Sequence, residues 1–141
     1  MATEILTRSL IALAIVGVGV GVFSLANRVI LKRASQKFQG LESFNLGVPA
    51  ILYFTTPTCV PCKIVQRPAI QEVQEVLGAG VQIIEVDASL RTDLADYWGV
   101  LSVPTTFIID PEGKPRQINH GVTLANKLIA QINNIRVEKA K

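Results

Sequence analysis

Cys59 and Cys62 are the only cysteines of the chain, set two residues apart in Thr58-Cys59-Val60-Pro61-Cys62-Lys63. An apolar, strand-like run from Ala50 to Phe54 precedes them, and a long helix-like run follows. A dithiol at the junction of a strand and a helix N-terminus can exchange electrons with another disulfide. The first thiol lies where unpaired backbone N–H groups and the positive end of the helix dipole favour its thiolate. The second lies one turn on and can close the ring. Other uses of two cysteines compete less well. A purely structural disulfide across so short a loop would remove almost no chain entropy. A structural zinc site needs four ligands, and only Cys59, Cys62 and a distant His120 are of the usual kind, so no metal is expected. Two inert buried cysteines at this spacing would be a coincidence.

The elements that must hold this pair are legible along the chain. Ala50–Phe54 reads as a strand buried on both faces. Val60–Leu77 reads as a helix with Val65, Ala69, Val73, Val76 and Leu77 on one face, and Pro68 should kink it. Gly78 and Gly80 end it. Val81–Val86 is a second strand. Ser89 is expected to cap a short helix that runs to Trp98 with Leu94, Tyr97 and Trp98 on its apolar side. Thr105–Asp110 is a third strand, opened by Pro104 at a position where a sheet tolerates proline. Pro111 to Lys114 is a turn, and Pro115–His120 is a fourth strand, antiparallel across it. Thr123–Ile135 is a last helix with Leu124, Leu128, Ile129 and Ile132 inward. This order predicts an α/β fold with a mixed central sheet and covering helices.

Charge and hydropathy divide the 141 residues unevenly. Ser9 to Asn27 is uncharged and apolar, about 28 Å long as a helix and close to the thickness of a bilayer core. Residues 1–40 carry Arg8, Arg28, Lys32, Arg33 and Lys37 against Glu4, a net of +4, whereas residues 41–141 carry a net of −1. The basic balance thus belongs to the apolar segment's flank. That argues against nucleic acid as a partner, which would require a basic face on the domain. The organisation expected is a transmembrane anchor helix with a basic juxtamembrane segment over 1–40, stopped at Gly40, and a globular domain over 41–141 entered through an irregular Leu41–Pro49. A cleaved signal peptide, with Arg8 at its start and Ser24-Leu25-Ala26 at its cut, is the rival. The run is long for a signal, and cations at once behind it oppose export. Four cations after the span and one before it place the domain on the cytoplasmic face, the alternative being extracytoplasmic. The cations also favour contact with anionic membrane lipid. Gly17 and Gly21, four apart, would admit a helix partner.

The chain resembles thioredoxin-like proteins over about residues 48–136. The resemblance rests on Cys59-Val60-Pro61-Cys62-Lys63 after a strand and Val86-Asp87 ending the next. It also rests on Gly99-Val100-Leu101-Ser102-Val103-Pro104-Thr105, the Glu112-Gly113-Lys114 turn and Gly121 before the last helix. It implies that Cys59 is the exposed nucleophile and Cys62 the buried resolving thiol. Thr58, Val60, Pro61 and Pro104 would support the active site. Pro104 would be cis beside the dithiol, and the backbone at Val103, with Thr105, would pair with the substrate chain. On sequence alone a trans Pro104 starting its strand serves equally. Several positions depart from the family. Thr58 stands where tryptophan is usual, and Val60-Pro61 replaces Gly-Pro. Tyr53 takes the place of a buried acid, and Ile83 that of the acid's lysine neighbour. The family's first strand and helix also look truncated.

The activity so implied is thiol–disulfide exchange on disulfide-containing proteins, with no cofactor beyond the dithiol and with an upstream reductant. The absence of a cation between the cysteines leans it towards reduction. The second class of function is a docking module of a larger membrane complex with little turnover. His120 is expected to be a satisfied or solvated side chain rather than a base. Trp98 is expected to pack, and Lys63 to point to solvent.

Overall fold

The computed structural model describes residues 2–34 and 43–139. It divides into two compact units, Met1–Ile30 and Leu31–Lys141. Helix α1, Ala2–Ala34, runs through the first and ends past Ile30. Within it Thr7–Ile30 is long and apolar enough to cross a membrane, and none of it is buried in the protein. Its large side chains from Leu10 to Leu25 stand exposed. A helix in water would not leave such a surface uncovered at no cost, at ~25 cal/mol per Å2 of apolar area. Lys37, the stop expected at Gly40 and the domain start expected at Leu41 lie outside the described residues.

The second unit holds strands β1 (Ala50–Thr55), β2 (Gln82–Asp87), β3 (Thr105–Ile109) and β4 (Pro115–His120). They form one mixed sheet in the order β2-β1-β3-β4. β1 pairs parallel with β2 and antiparallel with β3, and β3 pairs antiparallel with β4. Every residue of β1 and β3 is buried, as expected of central strands covered on both faces. Helix α2 begins as a π-turn over Cys62–Gln66 and continues as α-helix from Arg67 to Leu77. Helix α3 is Thr92–Trp98 and helix α4 is Ala125–Lys139.

Successive strand residues face opposite sides, which creates two cores. Ile51 and Tyr53 join Ile108, α2 and α4 in a cluster that includes Cys59, Cys62, Ile70, Val73, Leu128 and Ile132. On the other face Phe107 stacks edge-on against Phe54 and Trp98, at 5.9 and 4.9 Å between ring centres. Trp98 therefore packs, as expected, but outside the cluster that holds the sulfurs. Gly99 closes α3 in the left-handed conformation (φ 66°), its N–H returning to the carbonyls of Ala95 and Asp96.

Some local expectations are corrected. Pro68 does not simply kink α2. Proline has no N–H for the carbonyl four residues back and crowds it, and the ladder ahead of it widens, so that Arg67 N–H bonds Cys62 O. The buried stripe then runs through Gln66, Ala69, Ile70 and Val73, while Val65 is half-buried and Val76 exposed. Ser89 does not cap α3: the N-cap position falls on Arg91, whose guanidinium pairs with Asp93 instead of capping the helix. Asp87 instead accepts from Ser89 N, Ser89 Oγ and Leu90 N. Those bonds, the Ser89 hydroxyl foremost, hold its carboxyl below the usual carboxylate range. Leu124 lies before α4 and is exposed; Ala125, Leu128, Ile132 and Ile135 are buried, and Ile129 packs half-buried against the same cluster.

Phe107 is fully buried between two aromatic neighbours. Phe107→Ala is expected to lower the unfolding free energy by ~3–5 kcal/mol. The denaturant midpoint, followed by the fluorescence of Trp98, reads that change.

Candidate active site

Strand β1 delivers the chain to the site, and Thr56–Val60 turns it into α2. Cys59 N–H closes this turn on Thr56 O at 3.2 Å. Cys59 and Cys62 are joined by a disulfide, with an S–S distance of 1.95 Å and Cα atoms 5.3 Å apart. Their burial differs in a way that matters. Cys59 keeps 8% of its surface and Cys62 only 1%, which makes Cys59 the more accessible of the two. The Cys62 N–H points at Cys59 Sγ, 3.2 Å away. A backbone donor so placed favours the charged form of that sulfur once the bond is reduced. Pro61 supplies no such donor. Thr58, Val60, Pro61 and Lys63 all stand exposed around the pair.

The third–fourth strand region closes on the same place. The Val103–Pro104 bond is cis. Pro104 is buried, and half-buried Val103 packs against the cluster containing both cysteines. Thr105 is fully buried, with its hydroxyl donating to Ser102 O at 2.7 Å. Gly121, in the left-handed region at φ 78°, donates its N–H to Pro104 O at 2.8 Å. His120 is exposed and lies opposite Thr105 in the β3–β4 register, nearer the site than its sequence distance from Cys59 suggests.

Two further residues contact this machinery without a role in the sequence reading. Tyr53 is almost fully buried, and its hydroxyl donates to Cys62 O at 3.4 Å. Burial pushes its pKa above the ordinary value of 10.0; the Thr55 hydroxyl and Arg67 pull it down and Glu85 adds to the rise. A neutral phenol thus occupies the place of the carboxylate noted as missing. Gln66 is fully buried, with its side-chain amide on the backbone of Thr123. Its signal was present in the pattern, since it sits four residues after Cys62 on the apolar stripe, and a polar group there must find a partner.

A thioredoxin family model matches residues 34–134. The chain belongs to the thioredoxin family. Among relatives, the chloroplastic thioredoxin Y of rice (Oryza sativa) is 36% identical over 107 residues, covering 72% of this chain and 62% of the rice protein. Chloroplastic thioredoxin Y1 of Arabidopsis thaliana is 27% identical over 116 residues, covering 79% of this chain and 66% of its own length. The chain thus spans just under two thirds of each of these plant proteins. Of solved structures, a thioredoxin-like protein from Clostridium perfringens superposes with a TM-score of 0.58 at 26% identity, covering 67% of this chain and 76% of that one. These matches agree with the thioredoxin fold, seen here as a sheet of four described strands.

The buried phenol has a pH consequence. In the folded protein Tyr53 holds its proton above pH 10.0, where the unfolded chain releases it. The unfolded state then binds fewer protons, so stability falls as pH rises. The contribution is fully present below pH 10.0 and is lost as pH climbs through the higher folded value. Tyr53→Phe should lack this alkaline loss. Denaturant midpoints of the two proteins, compared from neutral to strongly alkaline pH, check it.

Proposed function

We propose that this protein is a membrane-anchored thiol–disulfide oxidoreductase that reduces protein disulfides through Cys59-Val60-Pro61-Cys62. The observation that carries the reading is the Cys59–Cys62 disulfide at the start of α2, with its more accessible sulfur in Cys59 and cis Pro104 in the same cluster region. In the reduced protein the Cys59 thiolate attacks one sulfur of a target disulfide. A Cys59–target bond forms, the target's S–S bond breaks, and the departing sulfur takes a proton. The Cys62 thiol then loses its proton and attacks Cys59 Sγ. The Cys59–target bond breaks, the second target thiol leaves, and the Cys59–Cys62 disulfide remains. Two electrons have passed to the target, and a separate reductant returns them. The sulfurs carry the electrons without metal or organic cofactor.

Val103 offers backbone N–H and C=O to the substrate strand beside Cys59, with Pro104 and Thr105 fixing that loop. Thr58, Val60 and Pro61 form the exposed collar that the substrate meets. No cation stands between the cysteines, which favours a reductant over an oxidant. Thr7–Ile30 is a retained single-pass anchor that contacts lipid, and Gly17 and Gly21 give it a close-packing face for a second helix. Arg28, Lys32, Arg33 and Lys37 hold the domain on the cytoplasmic side, where dithiols stay reduced.

With dithiothreitol as reductant, the full chain in detergent should turn over a protein disulfide. Cys59→Ser should abolish turnover, and Cys62→Ser should trap a mixed disulfide through Cys59. Greater alkylation of Cys62 than of Cys59 in the reduced protein would reverse the assigned roles. Absence of turnover would leave the fold as a docking subunit of a membrane complex. In intact cells, Cys59 should resist an impermeant maleimide, and rapid labelling from outside would put the domain on the other face. A mature N-terminus near Asn27, read by mass spectrometry, would replace the anchor with a cleaved signal.

A further inference from the structure

The segment from Gly121 to Leu124 joins β4 to α4 and belongs to no strand or helix. It nevertheless carries part of the surface beside α2. Val122 and Leu124 are exposed, and Leu124 faces Ile64, Val65 and Pro68 of α2 across one groove. Without a ladder, such a segment needs other bonds to keep its place. Two are present. Gly121 N–H holds Pro104 O at 2.8 Å. Thr123 is gripped at both backbone groups by one side chain: its N–H donates to Gln66 Oε1 at 2.7 Å, and Gln66 Nε2 donates to its carbonyl at 3.0 Å. Gln66 is the last residue of the π-turn that begins at Cys62 and is itself fully buried. A chain of contacts thus runs from Cys62 through Gln66 and Thr123 to Gly121 and Pro104. It ties the dithiol helix, the β4–α4 segment and the cis-proline loop into one platform.

We propose that Gln66 is a positioning residue for protein substrates: its amide clamps Thr123, and thereby holds Val122 and Leu124 in register with the dithiol. The proposal rests on the exchange reading above and adds to it a determinant of substrate binding. A protein disulfide must lie along the platform, whereas a small disulfide needs only the Cys59 sulfur. Removing the clamp leaves a buried N–H and a buried carbonyl of Thr123 without their partner. The segment then shifts or opens, and extended substrates lose contacts that small ones never made.

The test uses the full chain in detergent, as wild type, Gln66→Leu and Gln66→Glu. Substrates are a protein disulfide and 2-hydroxyethyl disulfide. Gln66→Leu should raise KM for the protein substrate about tenfold, the equivalent of ~1.4 kcal/mol of lost binding. Its kcat, and its rate with the small disulfide, should stay within about twofold. Gln66→Glu supplies the readout that a merely structural residue would not give. A neutral carboxyl offers one acceptor and one donor, as the amide does, but an ionised one has no proton for Thr123 O. Burial raises the introduced group's pKa. The variant-to-wild-type ratio of KM should therefore be near one in acid and climb through a single ionisation between about pH 5 and 8. A ratio independent of pH would overturn the proposal. So would a Gln66→Leu protein that loses protein and small-disulfide rates equally while still folded by Trp98 fluorescence.

Amide hydrogen exchange at Thr123 and Gly121 reads the clamp apart from catalysis. Both should exchange faster in Gln66→Leu than in wild type, and unchanged protection would overturn the clamp even if the wild type showed no turnover. An inactive wild type with this loss of protection would remove the exchange reading and leave the clamp standing.

Discussion

Pro68 has no N–H to give its helix, and the start of α2 is built around that deficit. The residues from Cys62 to Gln66 form a π-turn, closed by Arg67 N–H on Cys62 O. The same carbonyl accepts the Tyr53 hydroxyl from β1. The wider turn sends Gln66 inward to Thr123, while Ile64 stays exposed. A regular helix with a well-behaved ladder would advance each of these side chains by a different angle. The position of Cys62, the burial of Gln66 and the seating of the β4–α4 segment thus share one origin.

The second support is the pair of central strands. β1 and β3 are wholly buried, so their side chains have no choice of face except the alternation of the pleat. That alternation sends Tyr53 towards the sulfurs and Phe54 towards Trp98. The two faces do different work. The aromatic face stabilises the sheet, while the face under α2 and α4 carries the chemistry and must also house polar groups. Tyr53, Gln66 and Thr123 meet that need by bonding to backbone and to one another's elements, and no buried side-chain N or O among the described residues lacks a partner. A slip of one residue in β1 would exchange Tyr53 for Phe54 beside Cys62 and remove its donor.

Among the described residues, the side chain bonded to the Cys62 carbonyl is the phenol of Tyr53. A phenol that stays neutral below pH 10.0 can orient the carbonyl of Cys62 but does not compete with thiols for protons in the neutral range. At Cys59 Sγ the Cys62 N–H is a backbone donor 3.2 Å away, and Lys63 stands exposed.

Much of this protein follows from local sequence alone. The apolar run from Ser9 to Asn27 has the composition and length of a membrane-spanning helix or a signal, and it is helical throughout. The strand order, the turn at Pro111–Lys114 and the dithiol's place between β1 and α2 follow from periodicity and from proline and glycine, which act within a few residues. Ser89 and Leu124 were misplaced for a reason of the same kind: capping and inward facing depend on where a helix starts, and helix starts shift by one or two residues with tertiary contacts. What local rules cannot reach is the partner of a buried polar group. Gln66 meets Thr123 across 57 positions, and Tyr53 meets Cys62 only after β1 and α2 are packed. The proline at 104 allowed either isomer from the sequence itself, and the folded chain holds it cis. Such pairings belong to the tertiary structure, because burial is what obliges each donor and acceptor to find another.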